Sequence, residues 1–133
     1  MRCSRVLITG PLVMLLGVLI VARVQRGYFG PPVITIVNES ESVLSDIAVA
    51  GNGFRQTVSD LVPAGSTSFV VHPLGESGLK LACRLADRRI ETDNLSYIEA
   101  SGGYAVTITV RHDGDVECDY SPGNLDFNWR RAL

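Results

Sequence analysis

Histidine, cysteine and tryptophan are scarce in this chain, whose 133 residues include 2 His, 3 Cys and 1 Trp. Zinc centres need paired Cys or His spacings, and none occurs. A Ser/His/Asp set would have to use His72 or His112 with a remote serine. The G-x-S-x-G elbow is missing, since Gly65-Ser66 lies in a turn of different character. No P-loop or dinucleotide fingerprint is present, so nucleotide chemistry has no support. Basic charge is also thin outside one segment. Arg2, Arg5, Arg23 and Arg26 flank an apolar run, and setting these four aside leaves eight of the 12 basic residues against 14 acidic ones. A part that acidic lacks the clustered Lys and Arg of a nucleic-acid binder, and it stands off an anionic bilayer surface. A charged fraction of 20% is too ordinary for a disordered or fibrous chain, and the length fits one small domain.

What the sequence does contain is a long uncharged stretch. Residues 6–22, VLITGPLVMLLGVLIVA, carry no charge over 17 positions. As a helix this run is about 25 Å long, at the lower limit for a hydrocarbon core of roughly 30 Å. Two alternatives stand. A signal peptide is favoured by Arg2 and Arg5 as a basic start and by Ile20-Val21-Ala22 as a loose cleavage site. An uncleaved signal anchor is favoured by the want of a clean small-x-small site, and by Arg23, Arg26, Tyr28 and Phe29, which form a basic and aromatic collar at the membrane interface. The anchor is preferred, with residues 1–5 as a short cytoplasmic tail, 6–24 as the transmembrane segment and 25–32 as a connector stiffened by Pro31 and Pro32. Cys3 precedes the apolar run and so is no lipoprotein acylation site.

From Val33 the pattern changes to alternation of apolar and polar residues broken by turn residues. Strands are predicted at residues 33–38, 46–50, 54–58, 67–72, 79–86, 95–100, 104–112 and 116–120. The clearest is 104–112, where Val106, Ile108 and Val110 alternate with Thr107, Thr109 and Arg111. Gly51-Asn52-Gly53 and Asp113-Gly114 supply the positive φ of tight hairpins. Eight short strands and no helical period beyond residue 30 predict an all-β fold, a small antiparallel β-sandwich over residues 33–120, preceded by one N-terminal transmembrane helix.

The stretch Leu61-Val62-Pro63-Ala64-Gly65-Ser66, followed by Phe69-Val70-Val71, resembles a recurring feature of bacterial extracytoplasmic Ig-like modules, in which an L-x-P-x-G-S-type turn leads into an apolar strand. The resemblance covers about a dozen residues. It implies an Ig-like extracytoplasmic binding or structural module and transfers no site residue.

Cys83 and Cys118 fall on the inward side of their strands, which permits a disulfide closing a loop of roughly 36 residues, worth up to about 3–4 kcal/mol in the chain-entropy model. Two buried free thiols are the alternative, and export favours the bridge. His112-Asp113-Gly114-Asp115 with Glu117 and Cys118 is the densest set of metal-ligand types, but it lacks the spacing of a calcium loop and reads as an acidic, solvated turn. In the C-terminal tail, residues 121–133, Leu125, Phe127 and Trp129 alternate with polar residues. The tail either lies on its own domain or docks a partner through Phe127, Trp129, Arg130 and Arg131. Asn38-Glu39-Ser40 and Asn94-Leu95-Ser96 match glycosylation acceptors.

The expectation is therefore a single-pass cell-membrane protein with an extracytoplasmic (periplasmic) β-sandwich. It is read as a non-catalytic interaction or accessory module of an envelope assembly, without cofactor or metal. Its partners would be the bilayer and a protein in the same membrane, with no nucleic acid. If cleaved near Ala22 it would instead be a secreted carrier of a small ligand or metal, and a hydrolytic enzyme using His72 or His112 is the second alternative.

Overall fold

The computed structural model describes residues 9–121. Helix α1 spans Thr9–Phe29. Gly30-Pro31-Pro32 ends it, because a residue before proline is pushed out of the helical region. The helix thus runs past the predicted segment end at residue 24, and only residues 30–32 are left of the predicted connector. Side chains from Pro11 to Ala22 are all exposed. Among the described residues no helix is long and apolar enough to cross a membrane. The predicted span, residues 6–24, begins outside them.

Ten strands follow among the described residues: β1 (Val33–Glu39), β2 (Leu44–Gly51), β3 (Phe54–Val58), β4 (Ser66–Val70), β5 (Ser77–Gly78), β6 (Lys80–Leu85), β7 (Arg88–Thr92), β8 (Tyr97–Ile98), β9 (Ala105–Arg111) and β10 (Val116–Ser121). They form two four-stranded sheets, ordered β10-β9-β1-β4 and β3-β2-β6-β7, and a small β5-β8 ladder. All pairings are antiparallel except β1 with β9, which run parallel in register from Val33↔Ala105 to Glu39↔Arg111. The four-plus-four order differs from the four-plus-three order of immunoglobulin constant domains. What agrees with expectation is a mostly β fold of antiparallel sheets.

One core joins the two sheets. Ile34 and Ile36 of β1 and Val106, Ile108 and Val110 of β9 cluster with Leu44, Ile47 and Val49 of β2, Leu81, Cys83 and Leu85 of β6, and Ile90 of β7. Alternation along β1, β6 and β9 puts every second side chain in that cluster, as a half-buried strand requires. Strand β2 breaks the alternation. Strict period two from Leu44 would bury Asp46, but a bulge sets Asp46 and Ile47 together opposite Cys83, between the pairs Ser45↔Arg84 and Ala48↔Ala82. Asp46 takes φ 52° and turns outward beside Arg84 at 3.5 Å, which restores Ile47 and Val49 to the core.

Candidate functional site

Chain topology gathers one set of segments at the end of the sandwich next to α1. Strands β1, β3, β6 and β9 start at this near end, and β2, β4, β7 and β10 finish there. The connector is fastened to it. Gly103 N–H donates to the Gly30 carbonyl at 2.9 Å, Val71 N–H to Pro32 at 3.1 Å, and Val33 N–H to Tyr104 at 2.8 Å.

Three tyrosines of the β part meet at this end. Tyr104 precedes β9 and Tyr120 is near the end of β10, paired with Val106, so their rings stack at a tilt with centroids 5.1 Å apart. Desolvation, with the Tyr104 hydroxyl beside it, pushes the Tyr120 phenol up to about 12. Tyr97 of β8 donates its hydroxyl to Glu99 Oε1 at 3.2 Å. Desolvation and the carboxylates of Glu76 and Glu99 push this phenol up as well. The Tyr97 and Tyr120 phenols therefore stay neutral at physiological pH, apolar bodies with a polar tip. The remaining tyrosine of the chain, Tyr28, falls in the last turn of α1.

Leu74 is the apolar tip of the same end. It is 72% exposed, yet its backbone is fixed. Its N–H donates to the Asn52 carbonyl at 2.9 Å, and Asn52 Nδ2 donates back to the Leu74 carbonyl at 2.7 Å. Gly53, with φ 80°, lies against the Leu74 side chain where any Cβ would collide. Asn52 N–H in turn donates to Ser77 Oγ at 2.6 Å, tying the β2–β3 turn to β5. Sequence pattern did not single out this cluster. Its members lie far apart in the chain and meet only through the two-sheet topology; the one local signal was the run of Gly and Pro that marks the loops.

The residues singled out from sequence fall elsewhere. Cys83 and Cys118 are free thiols, which corrects the expected disulfide. Parity alone allowed a bridge across the core, but β6 is an inner strand of one sheet and β10 the edge strand of the other. Cys83 is buried in the core opposite the β2 bulge, and Cys118 sits on the edge strand β10 with its thiol toward Ser96. His72 follows β4 at the near end, whereas His112 begins the β9–β10 turn at the far end, so the two histidines share no site. In that turn Asp113 Oδ1 accepts from Asp115 N–H at 3.0 Å, and this bond holds its carboxyl below the usual range. Arg88 Nη1 donates to the Asp113 carbonyl at 2.7 Å, and Arg111 pairs with Glu117, so these contacts hold the turn in place. Among the described residues, no group of three His, Cys, Asp or Glu side chains could hold a metal ion. Asn38 is fully buried with its amide engaged, so the Asn38-Glu39-Ser40 triplet offers no glycan acceptor in the folded chain; Asn94 is exposed. Arg23, Arg26, Tyr28 and Phe29 fall in the C-terminal part of α1. Phe127, Trp129, Arg130 and Arg131 lie outside the described residues.

Fold and site together define an all-β, two-sheet protein with an apolar helix leading into one end. No family model matches the chain, and no curated protein matches it. Among solved structures, the NMR structure of a protein from Eubacterium rectale is similar, with a TM-score of 0.50 and 19% identity over 72% of this chain and 93% of that one. At that identity the likeness is one of fold alone.

Proposed function

We propose that the chain is a membrane-anchored extracytoplasmic β-sandwich serving as a non-catalytic interaction or accessory module of an envelope assembly. The observation that carries this is the apolar helix α1, with Leu12, Val13, Leu15, Leu16, Leu19 and Ile20 all more than half exposed, leading within three residues into a hydrogen-bonded sandwich. Six such side chains in water forgo roughly 1.5–3 kcal/mol each, which a hydrocarbon environment recovers. Strands and turns use most polar groups of the β part, consistent with a scaffold that presents surfaces. Crosslinking the C-terminally tagged, full-length protein in its native membrane tests this. A species of unshortened mass captured with one dominant membrane protein supports the module. A shortened, soluble species with nothing attached sinks it and favours the secreted carrier.

A further inference from the structure

We infer that the near end of the sandwich rests on the headgroup region of the bilayer that holds α1, with Leu74 and Tyr97 entering the interface and the Tyr104–Tyr120 pair beside them. The inference rests on α1 being the anchor. Four peptide steps separate Phe29 from Val33, a reach of at most about 14 Å, and hydrogen bonds to Gly103 and Val71 shorten it further. This end therefore stays within a headgroup layer's thickness of the helix terminus. Its chemistry fits that layer. Leu74 and Tyr97 are 72% and 45% exposed, Tyr120 46%, and Val70 at the end of β4 50%. Tyrosine is the side chain enriched where one end must be apolar and the other wet.

The far end contrasts with it. Val43 and Val62 are exposed there, but its loops hold no aromatic residue and carry Glu41, Asp60, Asp87, Asp113 and Asp115. At the near end Lys80 pairs with Asp93 at 2.9 Å, Arg55 stands at the start of β3, and Glu76 and Glu99 lie beside Tyr97. Charges of both signs at this end suit a zwitterionic headgroup layer.

Full-length protein carrying Trp129→Phe, with either Leu74→Trp or Val62→Trp, would be reconstituted into phosphatidylcholine vesicles with brominated acyl chains. Both reporter sites are exposed loop positions at opposite ends of the sandwich. Flotation is scored first, then fluorescence quenching. Co-flotation with quenching of the tryptophan at 74 several-fold stronger than that at 62 is the expected result. Co-flotation with equal, weak quenching overturns the resting geometry and leaves the anchor standing. Failure to float removes the anchor, and the inference with it.

Discussion

The side-chain amide of Asn38 donates to the carbonyl of Leu61 at 2.9 Å, joining the end of β1 to a loop 23 residues further along. The same amide donates to the Ser42 carbonyl at 2.8 Å, while Oδ1 accepts from Ser40 N–H at 3.0 Å and from Ser40 Oγ at 2.6 Å. The Asn38 backbone completes the set, its N–H donating to Gly65 and its carbonyl accepting from Ala64, both at 2.9 Å. The side chain is fully buried and every hydrogen-bonding group is matched. Asn38 therefore locates the 59–65 loop over the far end of the core, where Leu61 packs beside Leu44.

Asn38→Asp would turn two donations into oxygen–oxygen contacts inside the protein. A loss of about 3 kcal/mol or more is expected, against roughly 2 for Asn38→Ala, which takes the donor from the Leu61 and Ser42 carbonyls and the acceptor from Ser40 N–H but adds no charge. Burial would raise the new carboxyl's pKa in the folded state. The aspartate deficit should then be smaller at pH 4 than at pH 7, whereas the alanine deficit stays flat. Urea titrations at the two pH values measure both.

The turn below Asn38 carries two neighbouring residues with opposite sensitivities. Gly65 N–H donates to the Val62 carbonyl at 2.9 Å across Pro63 and Ala64, and Ala64 has φ 60°, the position of a type II turn that favours glycine. Ala64→Gly should stabilise the fold by about 0.5–1 kcal/mol, since the left-handed strain exceeds the entropy glycine adds to the unfolded chain. Gly65→Ala should destabilise it, because a Cβ there would stand 2.8 Å from the Val62 carbonyl oxygen. Thermal melts of the pair read the two signs directly.

This turn was legible from Pro63 and Gly65, and most strands were legible from alternation: residues 54–58 match β3 at both ends. Strand β7 was not, because RRIET offers a single inward apolar side chain, Ile90, among charges on an edge strand. The predicted strand at 95–100 shrinks to Tyr97–Ile98, since the loop around it is held by backbone bonds such as Leu79 N–H to Ser96 rather than by a long ladder. The parallel β1–β9 pairing carries no local signature at all. The near-end tyrosines stayed invisible for the same reason: residues 97, 104 and 120 converge only once the order of the strands is known.

The β2 bulge makes a prediction about chain length. Deleting Asp46 leaves Leu44, Ser45, Ile47, Ala48 and Val49 in regular alternation, with Ile47 opposite Cys83. The variant should fold with a loss of about 1–2 kcal/mol, mostly from disturbing the Leu44–Leu61 bridge. Deleting Ala48 instead would turn one side of β2 by a residue, putting Leu44 or Val49 outside, and should abolish cooperative unfolding. Chemical denaturation with a chemical-shift fingerprint separates the two outcomes.

Cys83 is only 3% exposed, and burial pushes its thiol up to about 11, while that of Cys118 is raised less and lies half-buried. With both thiols free, the protein unfolded without reductant should label at both positions; failure of both to label would show a bridge. In the folded state at pH 8, Cys118 should react slowly and Cys83 only through unfolding, because the thiolate is the reactive form. The same shift sets a pH dependence. An unfolded thiol ionises near 8.5, so above that pH the unfolded state gains from deprotonation that the folded core withholds from Cys83. Stability present below pH 8.5 should therefore fall as pH rises toward about 11, and Cys83→Ala should remove that part of the slope. A wild-type profile no steeper than the variant's across this window would show that the thiol ionises equally well in both states.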